Sequence, residues 1–226
     1  MNSIELRDLV VAWLGLAFAF AVALGGFSAI DLAGKGFNLA GFAFALIVSL
    51  IVVGTAFVFH ELMHRFTARH FNYHAEFRLW PLGLIFAVAL SLLLGVVFAA
   101  PGAVYIGERK FKGRKVTHEE SRQEFYEFED FSEQKAWNEL GLISVAGPLT
   151  NIVLGFVFLG GALVFAQNSI LFTISAMGFS INMFLALFNL IPFGPLDGAK
   201  VFVWNKAVWA ILFIPLLLWF FVFSGF

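Results

Sequence analysis

The 226-residue chain has no cysteine. That excludes disulfides, iron–sulfur clusters and thiolate metal sites, and it leaves the redox compartment open. Charge is almost as scarce: Asp, Glu, Lys and Arg make up 13% of the residues, about half the share of an ordinary soluble domain. The 14 basic and 15 acidic residues nearly cancel, at a net charge of −1. There is no broad basic face, so no nucleic-acid partner is expected. What the chain has in excess is apolar surface, 61% of residues with 31 Phe among them. One soluble domain of this size cannot hide that much, and composition therefore excludes both a soluble enzyme and a disordered chain.

A membrane-spanning helix needs about 20 apolar residues. Five runs free of charged side chains satisfy this, at 9–30, 36–59, 79–107, 140–196 and 207–226. The fourth is 57 residues long and holds two helices, with Gln167-Asn168-Ser169 as the polar turn between them. The fold class expected is an all-α polytopic membrane protein with about five spans, 9–30, 38–64, 141–166, 171–192 and 207–224, embedded in the lipid bilayer. Only 65–78 and 108–139 look wet. The second carries 7 Lys or Arg and 9 Asp or Glu. It is too short for a domain of its own and reads as a small strand and loop region over 105–139.

His60-Glu61-Leu62-Met63-His64 forms an HExxH motif at the end of the second span. Positions i and i+4 share one helix face, so both imidazoles reach one ion. Glu61 is then placed to take a proton from a water there. Neutral imidazoles with a carboxylate suit Zn2+. Ionisable groups at a membrane segment mark function by default. A third ligand is still required. His70, His74 and His118 lie in the wet stretches and read as solvated. Asp197 ends the long uncharged run, in Asn189-Leu190-Ile191-Pro192-Phe193-Gly194-Pro195-Leu196-Asp197-Gly198. Two prolines put it on irregular backbone near a membrane boundary. It is either a plain turn carboxylate, since Asp-Gly is a common turn pair, or the missing ligand.

HExxH, then Gly147-Pro148-Leu149-Thr150-Asn151, then Asn189-x-x-Pro192 with Leu196-Asp197-Gly198, in that order, resembles the site-2 protease family (M50) of intramembrane zinc metalloproteases. The resemblance implies zinc bound by His60, His64 and Asp197, with Glu61 as general base. It implies hydrolysis of peptide bonds in transmembrane protein substrates, with Asn189 near the bound peptide. Gly147, Pro148 and Asn151 match a family packing motif. The chain departs from the family pattern at Met63, where Gly is usual, and at Ala199, where a second Gly is common; Ala68 does match. The expected organisation is one membrane-embedded metalloprotease domain over 1–226, with a core at about 40–200 and no room for PDZ or CBS domains. Two other functions compete. One is a zinc-binding pseudoprotease that holds clients, against which the presence of Glu61 argues. The other is an ion transporter, which would show paired repeats that are not found.

The site also constrains topology. His60, His64 and Asp197 must meet, and two spans precede Asp197 after the wet loop. A single crossing by 79–107 would put Asp197 on the wrong face, and 29 residues are too few for two crossings, which need about 40. Residues 79–104 are therefore expected to re-enter and leave on the same side, turning at Pro81, Gly83, Gly95, Pro101 or Gly102. On that path 13 of the 14 Lys and Arg lie on the site's side, with Lys35 alone on the other. The positive-inside rule then places the N-terminus and the active-site end in the cytoplasm, in a cell membrane.

Overall fold

In a computed structural model, residues 1–33, 36–109, 114–117, 124–127 and 133–223 are described, without side chains over 108–135 and at 223. Helix α1 (Ser3–Gly25) starts at Asn2, whose side chain accepts from the Glu5 amide, and ends on left-handed Gly26. Helix α2 (Leu39–Val53) continues through a π turn (Gly54–Val58) into α3 (Phe59–His70) as one rod. Then come β1 (Tyr73–Leu79), α4 (Pro81–Leu94), β2 (Gly102–Arg109), a hairpin of β3 (Arg114–Thr117) and β4 (Glu124–Glu127), α5 (Glu133–Val164), α6 (Ser169–Asn189), α7 (Asp197–Trp204) and α8 (Lys206–Phe223).

Among the described residues four helices are long and apolar enough to cross a membrane: α1, the rod 39–70, α5 from Ala136, and α6. The chain is thus a helical polytopic membrane protein. Asn168 caps α6 by accepting from the Leu171 amide; the turn between α5 and α6 covers 165–168, two residues earlier than expected at its start, and Ser169 already belongs to α6. The rod runs six residues past the expected end at 64. The fifth expected span, 207–224, is the shorter apolar helix α8. Its 18 residues reach about 27 Å at 1.5 Å each. His118 and Lys35 lie outside the described residues.

Residues 79–104 form a loop of mixed helix and extended chain that returns to its starting point. Leu79 pairs with Gly102 in the antiparallel β1–β2 sheet, so the chain returns beside the point it left. Between these residues α4 descends for 14 residues, about 21 Å, and the chain comes back extended. Buried Val97, Ala99 and Ala100 lie on the return leg, so irregular backbone is covered by protein. A Cβ on Gly83 would stand 2.2 Å from the Ala100 carbonyl, so only glycine lets the two legs approach.

Lipid gives helices no hydrophobic drive to associate, so close approach at small residues must hold them. Helices α5 and α6 meet that way, with Gly155 under Met183, Gly161 against Ser175 and Gly178 against Phe158. The outer edge of β1 is closed by side chains. The Phe77 amide donates to Glu5 (3.3 Å), the Leu79 amide to Asp8 (3.4 Å), and Arg69 donates to the Ala75 carbonyl (3.4 Å). These are alternate residues, the positions a partner strand would bond.

Candidate metal centre

Helix α3 carries His60 and His64 one turn apart, and their Nε2 atoms stand 3.0 Å from each other. Asp197, first residue of α7, brings Oδ2 to 2.9 Å from His64 Nε2 and 3.3 Å from His60 Nε2. The loop between α6 and α7, broken by Pro192 and Pro195, swings it there. The three donor atoms lie within 4.8 Å of one another, a group that could hold a metal ion. Asp197 thus stands in a cluster with both imidazoles, where a metal ligand would have to be.

The second ring nitrogens test the fit to a metal. His64 Nδ1 donates to the Ile143 carbonyl at 2.7 Å. His60 Nδ1 meets Asn151 Oδ1 at 2.5 Å. Both acceptors require a proton on Nδ1, so Nε2 is in each ring the nitrogen turned to Asp197 and available to a metal, with its partner nitrogen anchored behind it. A Cβ on Gly147 would sit 2.3 Å from His64 Nε2 and 2.6 Å from His60 Nε2. Glycine thus keeps clear the space in front of both donors.

Glu61 is buried beside them, and its Oε2 has no hydrogen-bond partner. Buried polar atoms are seldom left so. The cluster opens on a cavity of about 280 Å³. Residues 102–106 of β2 form one wall, and Asn189, Leu196, Asp197 and Lys200 form another. Consecutive residues of one strand line it, so β2 presents its edge and not a face. Asn189 sits on this wall with its amide nitrogen donating to the Leu185 carbonyl at 2.9 Å. His70 and His74 are exposed and away from the cluster, with His74 paired to Glu76.

Sequence reasoning took Gly147 and Asn151 for packing residues only. The structure puts the first against both metal-facing nitrogens and the second on His60. Asn182, which bonds Asn151, had no motif to announce it. The available signal was a lone amide within an apolar span.

No family model and no solved structure matches the chain. A protein of Methanocaldococcus jannaschii named "Putative zinc metalloprotease MJ0611" is 39% identical over 213 residues, covering 94% of this chain and 91% of the relative. With that identity along almost the whole of both, the chain belongs to the same family as this archaeal zinc metalloprotease.

Proposed function

We propose that the chain is an intramembrane zinc metalloprotease of the site-2 protease type, hydrolysing peptide bonds of transmembrane protein substrates. The observation that carries this is the buried Glu61, with Oε2 lacking a hydrogen-bond partner, beside two oriented imidazoles and Asp197, at the mouth of a cavity walled by a strand edge. A zinc site that only held structure together would need no such carboxylate.

His60, His64 and Asp197 would hold the ion. Zinc, when bound, polarises a carbonyl and lowers the pKa of water toward about 7. Glu61 takes the proton of the attacking water and delivers it to the leaving amine. The open edge of β2 binds the substrate in extended form, because a helical peptide has its amides engaged internally. Since the outer edge of β1 is already occupied by Glu5, Asp8 and Arg69, an added strand has only β2 to join within this sheet. Asn189 faces that peptide. The active-site end lies toward the cytoplasm, which supplies the water.

The test is cleavage of a transmembrane peptide in proteoliposomes. Glu61→Gln is expected to lower the rate by about 10²–10⁴-fold with zinc still bound. Chelation of zinc should abolish cleavage in the wild type, and zinc should restore it. Equal cleavage by the variant would remove Glu61 from its role. Zinc binding without cleavage of any substrate would favour a pseudoprotease.

A further inference from the structure

Two asparagines, Asn151 on α5 and Asn182 on α6, are fully buried behind His60. Their contacts form a chain with one consistent direction. Asn182 Nδ2 donates to the Gly178 carbonyl at 2.8 Å. A carbonyl only accepts, so this amide is fixed with Oδ1 turned toward Asn151. Asn151 Nδ2 donates to that oxygen at 3.0 Å and to the Ala56 carbonyl, inside the π turn, also at 3.0 Å. Both of its hydrogens are engaged, and its oxygen is left facing His60 Nδ1. An oxygen only accepts, so the ring proton of His60 sits on Nδ1 and Nε2 is free for a metal.

We infer that Asn182 is a positioning residue of the metal centre: through Asn151 it fixes the tautomer and tilt of His60. This rests on the metal reading of the site. Ala56 alone would engage one hydrogen of the Asn151 amide. The other would then lack an acceptor in a dry site, and the amide could rotate off His60 to find one. A merely structural asparagine would tie α6 to α5 and leave the imidazole unmoved.

The experiment measures zinc affinity of the full chain in nanodiscs, by competition with a chelator, so it needs no substrate. Asn182→Leu, similar in volume but without an acceptor, is expected to bind zinc about tenfold more weakly. Asn182→Thr is expected to stay within about twofold of wild type. Its hydroxyl donates to the carbonyl one turn back and accepts from Asn151. Nitrogen-15 spectra of the metal-free wild type should show His60 protonated on Nδ1, and the Leu variant should show mixed tautomers. If the Leu variant does not fold, the wild-type spectrum and the Thr variant carry the test. Wild-type zinc affinity in the folded Leu variant, a Thr variant as weak as Leu, or a wild-type His60 with no proton on Nδ1 would each overturn the inference. A wild type that binds no zinc would instead overturn the metal reading itself.

Discussion

Glu61 on α3 and Glu5 on α1 are both buried, yet the protein treats them in opposite ways. Glu5, on α1, takes an ion pair from Arg65 Nε at 2.7 Å, a second bond from Arg65 Nη2 at 3.4 Å, and the Phe77 amide. Glu61 sits one turn before Arg65 on α3 and leaves Oε2 with no partner. A saturated carboxylate joins three elements, α1, α3 and β1, into one frame. An unsaturated one keeps its lone pairs for an incoming group. Burial by itself therefore does not mark the chemistry; burial without a partner does.

Neutralising each carboxylate separates the two roles. Glu61→Gln should cost the largest factor in rate, about 10²–10⁴-fold, while thermal unfolding stays unchanged or shifts upward, because Glu61 Oε2 has no hydrogen bond to lose. Glu5→Gln should do the reverse. It leaves the half-buried Arg65 without its counter-ion, at a cost of up to about 3 kcal/mol in denaturant unfolding, while the molecules that remain folded retain near wild-type turnover. If Glu61→Gln is as destabilising as Glu5→Gln, the contrast between frame and chemistry collapses.

The same contrast explains what could be read from sequence. The residues of the cluster, His60, His64 and Asp197 with Glu61 beside them, were legible because metal chemistry demands fixed residue types, and HExxH places three of them within five positions. The expected spans were legible because lipid demands long apolar runs. The frame was not. Glu5 and Asp8 look like ordinary first-turn acids on an N-terminal helix, and nothing local says that they close a strand edge more than 70 positions away. The π turn before His60 and the amide chain behind it depend on how three helices pack, which no local pattern encodes. The re-entrant path was reachable only indirectly, by requiring Asp197 to meet His60 and His64. Its division into a helix and an extended return followed from no periodicity, since both legs are almost wholly apolar.

Gly147 sharpens the comparison at intermediate size. By helix propensity alone, Gly147→Ala should stabilise α5 by up to about 1 kcal/mol. The added methyl would stand at 2.3 and 2.6 Å from the two metal-facing nitrogens, so one ring or the helix must move. Zinc affinity is expected to fall by about 10–100-fold, with stability of the metal-free protein held or improved. A variant that binds zinc like the wild type would mean that the helices yield and that glycine is not required there.

The smallest effect tests whether frame and chemistry are separable at all. Trp13 on α1 donates from Nε1 to the Leu50 carbonyl at 2.9 Å, and its indole lies against Gly54, where the π turn begins. Trp13→Phe removes that hydrogen bond and should cost about 1 kcal/mol. The π turn is also held from its other side, by Thr55 Oγ1 on the Val52 carbonyl and by Asn151 on the Ala56 carbonyl. His60 should therefore keep its place, and zinc affinity should be unchanged within about twofold. If affinity instead falls in step with stability, the contact of α1 with the rod is part of what aims His60, and the division between a saturated frame and an unsaturated centre runs through Gly54 and not between Glu5 and Glu61.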